Sequence, residues 1–223
     1  EKFMAKLLKE DELSYVDAWE ITKYKNVLRS EALESLGYVI EPQYLFTTLV
    51  KAIEKDEFDI ELLQKAVNSI VDSTIGNPSQ DAFDGLFEDM DLASTKLGRE
   101  VKMRSKLMSK ILTTINSINF EHEDTHIDVL GDAYEYLIGM FAQTAGKKAG
   151  EFWTPVNMSV LVSRLATVGL TDVLSVSDCA CGSGGLLLQV AKHAKVRTFF
   201  GQELTSTTYN LARMNMLLHD IPY

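Results

Sequence analysis

Cysteine is scarce in this chain: there are two, Cys179 and Cys181, one position apart, among 223 residues. A bridge between them would be badly strained, and two ligands do not close a zinc site, so they read as reduced thiols of a cytoplasmic protein. Positive charge is also short. Lys and Arg number 22 against 32 Asp and Glu, which leaves a net charge of −10. Such a chain is not by itself a broad phosphate-binding surface, because nonspecific nucleic-acid affinity rests on Lys and Arg. No apolar run reaches the ~20 residues that span a bilayer, and the start, Glu1 to Leu8, is too charged for a signal peptide, so no membrane partner is expected. An initiator Met is missing as well, and the chain is expected to be a piece of a longer protein. What remains is ordinary for a globular chain, 46% hydrophobic and 24% charged, with room for one or two domains.

The rest is organised around Ser177-Asp178-Cys179-Ala180-Cys181-Gly182-Ser183-Gly184-Gly185. The β-branched run Val173 to Val176 before it reads as a buried strand, and Leu186 to Ala194 after it reads as a helix. Strand, glycine turn and helix form the opening unit of a nucleotide-binding α/β sheet. Gly182 and Gly184 permit a sharp turn and a close ligand approach, and Asp178 is an acceptor at the strand end. The following helix start suits a carboxylate or phosphate. The next strand, Val196 to Glu203, ends in an acid. Glu203 lies 19 positions after Gly184 (203 − 184), near the ~20-residue spacing at which an acid meets ribose hydroxyls. Upstream stands Gly150-Glu151-Phe152-Trp153-Thr154-Pro155, an aromatic pair before a Thr-Pro helix start. Thr154 is expected to cap a helix beginning at Pro155 and running on through Val160, Leu161, Leu165 and Val168.

These three segments, Glu151 to Pro155, Asp178 to Gly185 and Gly201-Gln202-Glu203, resemble motifs of the methylase subunit of type I restriction-modification systems. Their order is that of the gamma-class amino-methyltransferases. Leu86 to Asp91, Ser94 to Gly98 and Asp128 to Leu137 resemble further segments of that family, so the likeness covers nearly the whole chain. One departure is Cys179, where the family usually has proline. The resemblance implies S-adenosylmethionine as cofactor and methylation of adenine N6 in DNA. It implies that Glu151, Phe152, Trp153, Thr154, Pro155, Val156, Asp178, Cys181, Gly182, Ser183, Gly184, Gly185 and Glu203 hold that cofactor. Trp153 and Phe152 would stack on the adenine or cover the methionine part. The implied partners are DNA, a DNA-specificity subunit, a second copy of the methylase subunit and a restriction (nuclease/translocase) subunit. The acidic charge then points to a partner that supplies the positive surface.

The family's Asn-Pro-Pro-aromatic motif, which holds the exocyclic amine and the flipped adenine, occurs nowhere in these residues. No catalytic residue is therefore assigned, and the chain alone is expected to be inactive. The competing readings are a nicotinamide-binding Rossmann protein and a non-catalytic docking fragment for a specificity subunit. Against the first, Leu187 stands where a Gly-x-Gly-x-x-Gly fingerprint needs its third glycine.

The fold expected is an α-helical N-terminal domain over 1–122, then the first part of a Rossmann-like α/β methyltransferase fold over 123–223 with a truncated sheet. Helices are expected over Asp11–Lys23, Val27–Leu36 (stopped by Gly37), from Glu41-Pro42, after an Asp59 cap, over Asp81–Asp91 and over Glu100–Ile118, the longest. Their apolar stripes read as core packing. His122 and His126, among Glu121, Glu123 and Asp124, have a possible metal spacing but read as a helix entry, so no metal is assigned. An amphipathic helix over Asp128–Ala142, a basic loop with Lys147 and Lys148 over 143–150, and a final helix over Thr205–His219 complete the reading.

Overall fold

The computed structural model describes residues 2–8, 13–118, 129–145 and 152–221. The expectations placed on Glu151, on His122 and His126 with their acidic neighbours, and on Lys147 and Lys148 lie outside those residues. The chain divides into two compact units, Glu1–Asn119 and Phe120–Tyr223.

The first unit is helical among its described residues: α1 Lys2–Leu7, α2 Tyr15–Glu20, α3 Thr22–Leu36, α4 Phe46–Glu54, α5 Ile60–Thr74, α6 Gln80–Phe83 and α7 Val101–Asn116. The expected division between Lys23 and Val27 is not where the chain breaks. It breaks at Ile21, whose backbone is extended, and α3 runs unbroken from Thr22. Trp19 and Leu28 both enter the core. At nine positions apart (28 − 19), they would point about half a turn away from each other on one continuous helix. Breaking at Ile21 lets both face inward. Tyr15 packs edge-on against Trp19 with ring centroids 5.4 Å apart, and its hydroxyl donates to the Ile40 carbonyl at 2.8 Å. Pro42 opens only a 3-10 turn to Tyr44, and the α-helix starts at Phe46. Asp59 does cap α5, its Oδ1 accepting from Leu62 N–H at 2.7 Å. The helix expected over Asp81–Asp91 is cut short at Phe83, because Asp84 turns extended and Gly85 takes φ +65°.

The second unit carries α8 Val129–Ala145, α9 Val156–Ala166, β1 Asp172–Asp178, α10 Gly185–Ala191, β2 Lys195–Gly201 and α11 Ser206–Leu218. β1 and β2 pair in parallel, in register from Asp172 opposite Lys195 to Asp178 opposite Gly201. Parallel neighbours need a crossover, and α10 supplies it. Val176, Phe199 and Met216 pack against the buried Cys181, Leu187 and Ala212 in one core cluster of this unit, and Ile138, Leu188 and Val190 are also buried. α9 lies against α10, and α8 against α11. Among the described residues, no helix is long and apolar enough to cross a membrane.

Candidate functional site

The glycine turn is held by hydrogen bonds on three sides. Cys181 N–H donates to the Gln202 carbonyl and Gln202 N–H to the Asp178 carbonyl, both at 2.9 Å, so the ends of β1 and β2 are stitched together. Ser183 N–H donates to the Phe152 carbonyl at 2.9 Å, which ties the turn to the aromatic segment. Asn215 of α11 donates its Nδ2 to the Ser183 carbonyl at 3.0 Å.

Gly182 and Gly184 sit at φ +55° and +82°, in the left-handed region. What their missing side chains make room for is protein. A Cβ on Gly182 would lie 2.7 Å from the Phe152 carbonyl oxygen, and one on Gly184 would lie 2.9 Å from the Met216 methyl. These glycines are needed first to close the corner; the expectation from sequence was close approach to a ligand.

A cavity of about 450 Å³ opens beside this corner, inside the second unit. That is a size usual for small-molecule and cofactor sites. Of the residues singled out from sequence, Phe152, Trp153, Thr154, Val156, Asp178, Cys181, Gly182, Ser183 and Gly185 line it. Thr154 does not cap α9. Pro155 occupies the cap position, no side chain bonds the helix start there, and Thr154 is exposed at the cavity wall. Pro155 and Gly184 are not on the wall; they shape the backbone on either side of residues that are. Glu203 is not on the wall either. It follows the end of β2, and its Oε1 accepts from Thr205 N–H at 2.8 Å. It still stands near the corner: burial pushes the Cys181 thiol up from its ordinary value, and the carboxylates of Asp178 and then Glu203 add to that rise.

The rest of the wall comes from residues that sequence reasoning passed over. α8, read from its periodicity as a bridging helix, contributes Asp132, Glu135 and Gly139. A Cβ on Gly139 would come 3.5 Å from the Trp153 ring, an ordinary contact, so the indole lies against the helix there. The visible signal was a glycine inside an otherwise strong helix pattern, which usually has a packing or functional cause. α10 contributes Gln189 and Lys192. Lys192 Nζ lies 3.5 Å from both the Asp132 and the Glu135 carboxylates. Asp132, Glu135 and His219 have ligand atoms within 4.8 Å of one another. With the Lys192 ammonium already between the two acids, that group is an ion-pair cluster. Lys192 and the three carboxylates Asp132, Glu135 and Asp178 leave the wall acidic.

The class of protein is set by comparison with known families. Residues 125–223 match the family described as N-6 DNA Methylase. The chain is 40% identical, over 95% of its length, to the Type I restriction enzyme MpnII methylase subunit of Mycoplasma pneumoniae, of which it covers 41%. It is 30% identical, over 64% of its length, to the HindI methylase subunit of Haemophilus influenzae, of which it covers 35%. Its structure matches the crystal structure of the type I restriction-modification system methyltransferase subunit from Streptococcus thermophilus, with a TM-score of 0.86 at 34% identity, covering 99% of this chain and 48% of that one. The chain is similar to type I restriction enzyme methylase subunits, and it spans less than half the length of these relatives.

Proposed function

We propose that the second unit is the S-adenosylmethionine-binding part of a type I modification subunit, which transfers a methyl group to N6 of adenine in DNA. In this reading β1–α10–β2 is the opening of a Rossmann-like methyltransferase sheet. The first unit is the helical domain that works with DNA, a specificity subunit, a second methylase copy and a restriction subunit. The observation that carries it is the corner bonded to the Phe152-Trp153 segment beside an acidic, aromatic-walled cavity.

The residues present fit the cofactor. Asn215 is 1% exposed and borders the cavity, and its Oδ1 has no donor among the described residues, which leaves an acceptor for a bound molecule. Trp153 offers a ring face to a cation, and the acidic wall suits a positively charged ligand. The cofactor supplies a methyl group activated by its sulfonium. Gly182, Ser183 and Asp178 would lie along its nucleoside, and Glu203 would accept from the ribose hydroxyls. An acidic wall opposes the diphosphate of a nicotinamide dinucleotide, so that alternative is disfavoured. Transfer itself needs groups to hold the exocyclic amine, and no Asn-Pro-Pro occurs in these residues. They are therefore expected to bind cofactor without turning it over.

Calorimetry tests this directly. S-adenosylmethionine should bind with one site per chain, and NAD should not. Binding of NAD alone would sink the assignment. Binding of neither would leave the docking-fragment reading in its place.

A further inference from the structure

Resting on that cofactor reading, we infer that the wall formed by Glu135, Gln189, Lys192 and Asn215 is the subsite for the amino-acid end of S-adenosylmethionine, with Glu135 taking the α-ammonium group. S-adenosylmethionine has an uneven charge layout: an uncharged nucleoside, a sulfonium in the middle, and an ammonium beside a carboxylate at the far end. The glycine corner and the aromatic segment match the nucleoside, which leaves the zwitterionic end to be placed. Among the described residues, only the α8–α10 side of this cavity carries both signs of charge on side chains.

Glu135 stands at the junction. Its Oε1 is 3.7 Å from where a Cβ on Gly185 would lie, so the carboxylate sits over the residue next to the corner. Its other oxygen, Oε2, is the one that Lys192 approaches. Two carboxylates share that single ammonium, because Asp132 meets it at the same 3.5 Å. Among the described residues, the two carboxylates outnumber that ammonium by one charge. A zwitterionic ligand end leaves that net charge unchanged and pairs locally, with its ammonium at Glu135 and its carboxylate at Lys192.

The buried amides support this independently. Asn215 has its donor end fixed on the Ser183 carbonyl and its Oδ1 left over. Its own carbonyl meets His219 Nδ1 at 2.9 Å, and His219 stands within 4.8 Å of the Glu135 and Asp132 carboxylates. The leftover acceptor and the acidic pair therefore belong to one neighbourhood. Gln189, 6% exposed, presents a further amide to the same cavity. Buried amides on a cavity wall are normally satisfied by something.

The test compares S-adenosylmethionine with 5′-methylthioadenosine, which keeps the nucleoside and lacks the amino-acid end. Both are titrated calorimetrically into the chain and into Glu135→Gln. The substitution should weaken S-adenosylmethionine about tenfold, the usual scale for one charged hydrogen bond. Methylthioadenosine affinity should not change. Gln189→Leu, which keeps the volume and removes the amide, should discriminate in the same direction. Equal weakening of both ligands in both variants, or no effect in either, overturns this subsite and leaves the cofactor assignment standing. Failure of the unsubstituted chain to bind S-adenosylmethionine would overturn both.

Discussion

The two units hold themselves together by different means. In the first, Trp19 of α2, Leu28 of α3, and Val39 and Leu45 from the chain between α3 and α4 are all at most 7% exposed. In the second, large apolar side chains of a strand and of a flanking helix stay in the open: Leu174 of β1 is 74% exposed and Leu165 of α9 is 66% exposed. The first unit is thus organised by burial of apolar surface. The second is organised at the corner between its strands, where backbone hydrogen bonds and two close approaches fix the geometry. The candidate site lies where polar geometry, not apolar mass, sets the backbone.

That contrast should appear most strongly in stability. Trp19→Ala removes a ring that packs on Tyr15 and lies under the Lys25 ammonium at 4.9 Å. It should cost about 3–5 kcal/mol in urea denaturation followed by circular dichroism. Leu174→Ser should change stability by less than about 0.5 kcal/mol, because little is lost from a side chain already in water. Similar costs for the two would erase the distinction.

The corner comes next. Gly182→Ala places a side chain at φ +55° and 2.7 Å from the Phe152 carbonyl. The backbone strain alone should cost about 1–3 kcal/mol. Amide exchange should quicken in the glycine turn and at the start of α10 while α3 and α5 keep their protection. Unchanged exchange in the turn would mean that the close approach does not hold it.

A smaller effect is expected at Glu203. Glu203→Ala should weaken S-adenosylmethionine by about 1 kcal/mol, the net worth of an ordinary hydrogen bond. Calorimetry reads it, and an unchanged dissociation constant would remove Glu203 from the site. Smallest is a difference in rate between the two thiols. Cys181 is buried and its thiol is pushed up, so near neutral pH it holds less of the reactive thiolate than an ordinary thiol does. Iodoacetamide should modify exposed Cys179 first, and the gap should narrow as pH rises through the raised value. Equal rates near neutral pH would contradict the burial of Cys181.

Much of the second unit was legible because its signals are local. A β-branched run, a glycine cluster and an apolar run fix strand, turn and helix within a few neighbours, and β1, α10 and β2 follow them. Legibility failed where the answer depends on distant contacts. The break at Ile21 follows from which way Trp19 and Leu28 must face, and no residue near Ile21 announces it. Thr154 followed by Pro155 is a strong local cap pattern, yet Pro155 itself takes the cap position and the helix starts at Val156, after a segment whose Phe152 carbonyl is held by the distant Ser183. Glu135 and Gln189 went unremarked for the same reason. Each sits on a regular helix, and only the packing of α8 against α11 and the turn before α10 brings them to one cavity.

The most direct measurement is a crystal structure of the chain grown with S-adenosylhomocysteine. The account predicts the nucleoside between the glycine corner and the Trp153 segment, with the ribose hydroxyls toward Glu203 and the amino-acid end at Glu135. A ligand anchored elsewhere, or protein side chains closing the cavity in its place, would contradict it.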